Sequence, residues 1–487
     1  MQQQGRLHAL GIIIGVLFIH LVMASGVPLG VDEAHYALYA LHPALSYFDH
    51  PPMVGWLQML IAPLGYDEFT VRLIPALLYA LSSYLAFRVS YRLFPEGPAY
   101  VGLLSVLLIN SAPIFQLMGW GLVPDLPLMA LGLLSLELIL SIHKYNQHKH
   151  WIALGVVYGL AGLSKYTAVF LPAGMIIFMI QYNGLKWLKG RGPWLAALIA
   201  LIIISPVLIW NAQNDWASLA YQFDRGVGVK SWAARKVVAM QLAQVVLYSV
   251  LAYVAAIAAI VAVLRKNIPE QDRASCWLII WSALPLLLVV GWSAGDGTFL
   301  PNWPALGWTL LAPLSSYWIC RGWHKLWVKS LVVVSSVLSL ALISFLFIFL
   351  AFMPLSTFPF MSPLIKDLVG WNEAAKHAVA LKQEWRKEEG RDPVLLIDNW
   401  SKASRIAWYA YPEPVQLVTD RLTQFDFWHG KPGPDTYGIL IRDKKSAPES
   451  GHLTLKGFSC SLFDQTEATL DRIVINRFQF YRCEPAH

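Results

Sequence analysis

Long apolar runs recur along residues 1–353 of the chain, and short polar loops separate them. Most of these runs hold roughly 18 to 25 residues, the length at which an α-helix crosses the hydrocarbon core of a bilayer. The pattern therefore predicts about eleven membrane-spanning helices. They lie near residues 8–29, 71–91, 98–116, 125–142, 150–165, 167–183, 194–211, 239–264, 274–293, 303–320 and 327–353.

The pattern changes near residues 353–354. Helical spacing in GWNEAAKHAVALKQEWRKEE is followed by five short strand-like runs, separated by charged and polar residues. These runs are PVLLID, VQLVTD, YGILIRD, HLTLKGF and RIVINRFQFY. We expect two domains: a membrane domain over 1–353, with long loops at 30–70 and 212–238, and a small soluble α/β domain over 354–487.

Composition agrees with a polytopic membrane protein. The chain is 56% hydrophobic and only 14% charged, whereas soluble domains carry about 25% charged residues. The net charge of +7 comes largely from short loops that fall on one side of the predicted spans, as the positive-inside rule requires of cytoplasmic loops. This arrangement predicts a cytoplasmic N-terminus and a C-terminal domain on the outer side. The first apolar run is long for a signal peptide, so an uncleaved first helix is expected.

Cysteine usage and missing motifs narrow the chemistry. Cys460 and Cys483 are the only cysteines of the C-terminal region, and an oxidising compartment would favour a disulfide between them; two separate buried thiols are the alternative. Cys276 and Cys320 lie at predicted cytoplasmic ends and are expected to stay reduced. The sequence contains no Walker loop, no GxGxxG after a strand, no HExxH and no CxxC, which argues against nucleotide chemistry and a thiolate zinc site.

Polar residues gather on the predicted outer side. The stretch VDEAHYALYALHPALSYFDHPPMVGW, residues 31–56, holds several acids and histidines, and Asp125, Lys165 and Arg225 come from distant parts of the chain. A charged side chain at a span centre costs about 2.5–3.5 kcal/mol on insertion scales. We therefore expect these side chains to share a wet cleft at the outer membrane boundary.

Each of these residues also has a structural interpretation. Asp32 and Asp125 would cap the helices that follow them, Lys165 would be an interface lysine that extends towards water, and Arg225 would be a solvated loop charge. His35 and His42 are seven residues apart and would pack against aromatic rings. They are also the candidates for a metal site, although no tight ligand spacing supports one.

Several motifs together resemble one protein family. They are DEAHY, SYFDHPPM with Arg72 in the following RL, PDLPL around Asp125, LSKYTA around Lys165, PVLIWNAQNDWASLAYQFDR, PNWPA, GWNEAAKHAVAL, DNWSKASRIAWY and FDFWHG. This set resembles bacterial membrane glycosyltransferases of the GT-C fold, the group related to the lipid A aminoarabinose transferase and to the protein O-mannosyltransferases. The resemblance implies a multi-pass inner-membrane enzyme whose active site faces the periplasm and whose donor is a polyprenyl-phosphate sugar.

The resemblance also implies roles for individual residues. It places Asp32 at the reaction centre with Glu33 beside it, and it makes Asp125 a second acid. Lys165 and Arg225 are our candidates for gripping the donor phosphate, since cations stabilise the charge that develops as the sugar–phosphate bond breaks. The residues expected to line the substrate are His35, Tyr36, Tyr39, Tyr47, Asp49, His50 and Arg72, although aromatic rings at this depth are more often part of an interfacial belt.

The sequence thus predicts an inverting transferase that moves one sugar from a polyprenyl (undecaprenyl) phosphate to lipid A or another envelope glycolipid. Protein hydroxyls are the alternative acceptor. A secondary transporter is the main alternative from another class, but its ionisable groups would lie near the bilayer midplane in paired halves. Two cationic side chains suffice for the phosphate, so no cofactor is required, and a divalent cation remains compatible with the site. The sequence gives no reason to expect nucleic acid as a partner.

Overall fold

The computed structural model describes residues 2–227, 231–297, 300–353, 359–443, 451–470 and 472–486. Within these ranges the first part of the chain forms α1 Gln2–Met23, α2 Val31–Leu41, α3 Met53–Met59, α4 Glu68–Leu93, α5 Val101–Asn110, α6 Pro113–Trp120, α7 Asp125–Tyr145, α8 His148–Ser164, α9 Phe170–Asn183 and α10 Arg191–Gln213. The remaining helices are α11 Ala217–Val227, α12 Ala234–Leu247, α13 Val250–Leu264, α14 Glu270–Ser293, α15 Ala305–Arg321, α16 Leu326–Phe352, α17 Ser362–Leu368, α18 Trp371–Glu389, α19 Trp400–Ala410 and α20 Gln424–His429. Short 3₁₀ helices cover Ala62–Leu64, Tyr166–Val169, Lys186–Lys189, Ala294–Asp296 and Pro359–Met361.

Helices long and apolar enough to cross a membrane dominate the chain up to residue 352. In the described residues there are seven of them, or nine when each of two bent pairs is taken as one span. The helices α8 and α15 lie at two further predicted spans. They have 17 residues each and are slightly too short to be included among these candidates. The described part of the chain is therefore polytopic and helical, with seven to nine candidate spans.

Two of the predicted spans are not straight. The run at 98–116 is split into α5 and α6, which meet at an angle of 75°, and the run at 239–264 is split into α12 and α13 at 111°. Pro113 begins α6 and has no N–H to continue the preceding helix. Ser249, between α12 and α13, has a φ of 73°, which is outside the helical region. Hydropathy alone does not register either break.

The first compact unit consists of Met1–Ala24, Leu45–Leu57 and Arg72–Ile348. Its helices approach closely where glycines replace larger side chains. A Cβ at Gly159 of α8 would lie 2.6 Å from Ile203 Cβ of α10, and one at Gly155 would lie 2.7 Å from the Ala196 carbonyl oxygen. Small residues at such positions let two helix backbones pack tightly, which drives helix association in lipid.

The second compact unit consists of Ser25–Ala44, Gln58–Val71 and Phe349–His487. Two stretches of the predicted first loop thus belong with the C-terminal chain, so the division differs from the single boundary near residues 353–354. The unit holds a six-stranded sheet in the order β2-β1-β3-β6-β5-β4. Its strands are β1 Val394–Ile397, β2 Val415–Leu417, β3 Gly438–Asp443, β4 His452–Leu455, β5 Phe458–Leu470 and β6 Ile473–Pro485.

The sheet is mixed in direction. β1 runs parallel to β2 and β3, and the pairs β3–β6, β6–β5 and β5–β4 are antiparallel. Most of β5 was not predicted, because the segment SCSLFDQTEATL is polar and mixes exposed with partly buried positions, so it contains no apolar run. A strand of that composition takes its stability from pairing with β6, and this pairing leaves no apolar run in the sequence.

Cys460 on β5 and Cys483 on β6 lie opposite each other and form a disulfide. The two cysteines are 23 positions apart in sequence and close a loop around the hairpin. Replacing both by Ala is expected to lower the free energy of unfolding of this unit by about 2–4 kcal/mol, since the cross-link restricts the unfolded chain. Chemical denaturation of the variant and of the oxidised protein measures the difference, and equal midpoints would contradict it.

Candidate active site

The helix α2 presents one exposed acid next to a buried one. Asp32 is exposed, whereas Glu33 is only 7% exposed. The helix begins at Val31, and Glu33 Oε2 accepts a hydrogen bond of 3.0 Å from the N–H of Gly30, which is the N-cap residue. The interpretation of Asp32 as the cap is therefore wrong, because Glu33 has that task. Asp32 lies in the first helical turn, where the helix dipole favours a carboxylate.

The rest of α2 is buried among aromatic residues of its own unit. His35 is 2% exposed, and its ring lies 5.4 Å from that of Trp400. His42 stacks on Trp428 at 4.7 Å, with His429 at 5.3 Å. Burial and the neighbouring His429 lower the pKa of His42 from 6.5 to about 4, so this ring is neutral near pH 7.

No group of three or more His, Cys, Asp or Glu side chains is placed to hold a metal ion in the part of the chain that the structure describes. The histidines His35 and His42 instead make the ring contacts given above. A divalent cation at this site stays a hypothesis, and the contacts of His35 and His42 do not indicate ligands for it.

A buried ion pair joins two of the predicted site residues. Lys165 Nζ donates to Asp125 Oδ1 over 2.7 Å, and the two side chains are 6% and 5% exposed. Asn302 Nδ2 donates to the other oxygen, Asp125 Oδ2, over 3.0 Å. The interpretation of Lys165 as an interface lysine that extends towards water is wrong, because the chain turns sharply at this residue and directs its ammonium group to a buried partner.

Local structure explains both positions. Asp125 is the first residue of α7 and follows Pro124, so its carboxylate lies at the positive end of the helix dipole. Lys165 ends α8 with an extended backbone, φ −158°, and directly precedes the 3₁₀ helix Tyr166–Val169. The break between these two helices holds the lysine at a corner.

Asn302 is a site residue for which the sequence assigned no role. It lies in PNWPA, one of the motifs that carried the family resemblance. There it is the polar residue between two prolines, just before a predicted span. Its loop is fixed by Tyr248, whose O–H donates to the Pro301 carbonyl oxygen over 2.7 Å and whose ring stacks on Trp308 at 5.5 Å. An asparagine between two prolines was the available signal.

The helix that carries Arg225 is linked to the same corner. Tyr166, next to Lys165, shares a hydrogen bond of 2.7 Å with Ser218 of α11. One turn on, Gln222 donates to the Asp49 carbonyl oxygen over 2.5 Å, and Tyr221 lies 4.7 Å from Phe48. Arg225 follows on α11, but its side chain is outside the described residues.

Other predicted lining residues are largely buried. Tyr39 and Tyr47 are each 0% exposed, and Tyr36 is 7% exposed. Arg72 is 1% exposed; it donates to the Ala24 carbonyl oxygen over 2.7 Å and lies over the Trp120 ring at 4.0 Å. Asp49 and His50 are partly exposed. Their role as substrate-lining residues stays a prediction.

An apolar crevice borders the Asp125 end of α7. Its lining includes Val54, Leu57, Leu78, Leu122, Leu126 and Pro127. Leu126 and Pro127 follow Asp125 directly, so the buried ion pair and an apolar surface lie side by side within the first compact unit. The structure thus brings together Asp125, Lys165 and the helix of Arg225, while Asp32, Glu33, His35, Tyr36 and Tyr39 belong to the second unit.

Comparisons with known proteins agree on the class of fold. A family model described as dolichyl-phosphate-mannose-protein mannosyltransferase matches residues 49–210. The lipid A galacturonosyltransferase RgtD of Rhizobium johnstonii is 21% identical over 308 residues, which span 61% of this chain and 61% of that protein.

Two solved structures are similar over most of the chain. The crystal structure of ArnT from Cupriavidus metallidurans bound to undecaprenyl phosphate has a TM-score of 0.63 at 14% identity, covering 96% of this chain and 97% of that one. The apo oligosaccharyltransferase of Archaeoglobus fulgidus has a TM-score of 0.52 at 11% identity, covering 88% of this chain and 69% of that one. At these identities the likeness is one of fold.

Proposed function

We propose that this chain is a membrane glycosyltransferase of the GT-C fold and that it transfers a single sugar from a polyprenyl phosphate to an envelope acceptor. The donor is undecaprenyl-phosphate-linked, and the acceptor is lipid A or a related glycolipid. The observation that carries the proposal is the buried Asp125–Lys165 pair beside an apolar crevice. A lipid-linked sugar phosphate needs this combination of a fixed cation and an apolar surface.

The membrane arrangement is part of the proposal. The proposal counts eleven spans, including α8, α15 and each bent pair. An odd number puts the two ends of the chain on opposite sides, with the N-terminus in the cytoplasm and the C-terminal α/β region in the periplasm. The Lys- and Arg-rich short loops then all face the cytoplasm, as the positive-inside rule predicts. The likeness in fold to ArnT over 96% of the chain supports a multi-pass helical protein, and the sidedness is our proposal.

Lys165 and Arg225 hold the donor phosphate in this proposal. A lysine has three N–H donors, and Asp125 takes one of them, which leaves two for phosphate oxygens. The Asp125–Lys165 pair is neutral as a unit, so Arg225 supplies the net positive charge that the phosphate needs. Asp125 has a contact on each oxygen, which supports a role in holding Lys165 rather than in accepting a proton.

The reaction breaks the bond between the anomeric carbon and the phosphate oxygen. The acceptor oxygen attacks that carbon from the opposite side, the configuration inverts, and polyprenyl phosphate leaves with both electrons of the broken bond. Where the acceptor is a hydroxyl, Asp32 takes its proton as a general base. Where the acceptor is a lipid A phosphate, no proton is removed, and Asp32 steadies the positive charge that develops on the sugar ring.

The relatives guide the choice of acceptor. RgtD is named for lipid A and galacturonic acid, which supports lipid A as the acceptor and a hexuronic acid as the sugar. Protein hydroxyls are the second candidate, because the family model that matches residues 49–210 is described by a protein mannosyltransferase. The two candidates differ in whether the modified product is a lipid or a protein.

Mass spectrometry of envelope lipids from cells with and without the gene tests the proposal. We expect one lipid A species to lose the mass of a single sugar, and wild-type protein supplied from a plasmid to restore it. A lost sugar on envelope proteins with unchanged lipids would instead establish the protein acceptor. Unchanged lipids and unchanged proteins, with the gene expressed in the parent, would overturn the transferase.

A further inference from the structure

Two motifs of the C-terminal chain have no role in the chemistry above. DNWSKASRIAWY begins directly after β1 and forms most of α19, and FDFWHG forms most of α20. Both pack against α2, the helix that carries Asp32, within the second compact unit. The question is what these contacts do for that helix.

Tyr409 of α19 binds the chain on both sides of the first loop. Its hydroxyl oxygen accepts a hydrogen bond of 3.1 Å from the N–H of Leu29, just before α2. Its O–H donates to Glu68 Oε1 over 3.0 Å, at the first residue of α4. One hydroxyl therefore ties the start of the acidic helix to the start of a candidate span.

Ser404 of α19 binds α2 one turn after Asp32. Its O–H donates to the Trp400 carbonyl oxygen over 2.9 Å, and His35 Nδ1 lies 3.0 Å from the same oxygen. Because a hydroxyl has one proton, His35 Nδ1–H is the donor of the second bond. His35 is 2% exposed and Ser404 is 0% exposed, so water does not compete for either group.

Trp428 of α20 fixes the other end of α2 by stacking on His42 at 4.7 Å. The helix α19 is itself held, because the guanidinium of Arg405 lies over the Trp371 ring at 3.7 Å and is 2% exposed. The side chains of Ser404, Tyr409 and Trp428, which we call the clamp, thus contact α2 before, within and after its helical turns. Asp32 is left exposed on a helix that is otherwise fixed.

From this arrangement we infer that the clamp is a positioning device for the reaction: the C-terminal chain orients Asp32, and Tyr409 is its central positioning residue. The inference rests on the proposed role of Asp32. A displacement of about 1 Å in a reacting group costs on the order of a hundredfold in rate, so hydrogen bonds remote from the substrate are expected to affect turnover. They are not expected to change the binding of the donor phosphate, which the proposal gives to Lys165 and Arg225.

The experiment uses the full-length protein in lipid nanodiscs. We expect Tyr409→Phe to lower kcat on the order of tenfold or more, with the donor KM within about twofold of wild type. Hydrogen exchange of the amides in residues 29–41 is expected to speed up, because the Leu29 N–H loses its acceptor. Glu68→Gln keeps an acceptor oxygen for Tyr409 and should retain turnover, whereas Glu68→Ala should resemble Tyr409→Phe.

The matched controls are Tyr411→Phe and Ser459→Ala, which change exposed side chains of the same unit and should alter neither measurement. Unchanged kcat and exchange in Tyr409→Phe would overturn the inference, as would faster exchange with unchanged kcat while Asp32→Asn is inactive. If Asp32→Asn turns over at the wild-type rate, the assignment of Asp32 falls, while faster exchange in Tyr409→Phe would still support the clamp.

Discussion

Asp32→Asn is expected to abolish sugar transfer, with a loss on the order of 10² to 10⁴ in kcat, if the acceptor is a hydroxyl. The amide keeps the size of the side chain and removes the carboxylate that accepts the proton. Asp32 is exposed, and its neighbour Glu33 accepts the hydrogen bond from the Gly30 N–H. The Asp32→Asn variant should therefore retain the fold. Transfer from a polyprenyl-phosphate sugar is measured by mass spectrometry with two acceptors, purified lipid A and a hydroxyl acceptor.

Asp435→Asn is the matched control, because it removes an exposed carboxylate of the same unit and should leave transfer unchanged. A smaller loss in Asp32→Asn with lipid A than with a hydroxyl acceptor would indicate attack by a phosphate, where no proton is removed. Turnover at the wild-type rate with both acceptors would exclude Asp32 from the reaction.

Lys165→Ala is expected to damage both stability and catalysis. It leaves the Asp125 carboxylate buried with only Asn302 as a side-chain donor among the contacts described. Removing one member of a buried ion pair costs about 3–5 kcal/mol. The midpoint of thermal unfolding in detergent, monitored by size-exclusion chromatography, should therefore fall. The donor KM should rise, because the phosphate loses a cation.

A double variant separates the two effects. Asp125→Asn with Lys165→Met removes both charges and keeps similar volumes, so the unfolding midpoint should recover towards wild type while transfer stays lost. Lys189→Ala, which removes an exposed charge, is the control and should match wild type in both assays. Recovery of transfer in the double variant, or an unchanged donor KM in Lys165→Ala, would contradict the phosphate role.

The contacts of the clamp cross the boundary that the sequence predicts between the membrane domain and the C-terminal domain. Hydropathy separates a membrane part from a C-terminal part, whereas the structure packs Ser25–Ala44 and Gln58–Val71 with the C-terminal chain. Substitutions in α19 are therefore expected to affect the helix that carries Asp32. The distance in sequence between His35 and Ser404, 369 residues, shows why no local pattern predicts this.

Two residues of the candidate site were named before their contact was known. Asp125 and Lys165 were both named from the sequence, because charged residues at span ends are rare enough to stand out in an apolar chain. Their pairing and the contact with Asn302 were not predicted, since the partners are 40 and 177 residues apart. The alternative interpretation of Asp32 as the cap was wrong, because composition cannot tell which of two adjacent acids accepts the N-cap hydrogen bond.

The sequence by itself determined that the chain is rich in apolar helices of spanning length, where the polar residues between them lie, and the class of fold, since hydropathy, charge placement and motifs are written in consecutive residues. The tertiary structure alone decided where the helices at Pro113 and Ser249 bend, that Asp125 holds Lys165, and that Tyr409 ties Leu29 to Glu68. These features depend on hydrogen bonds and packing between segments far apart in the chain. Such contacts form only when the whole molecule is folded, and their partners leave no periodic signal along the sequence.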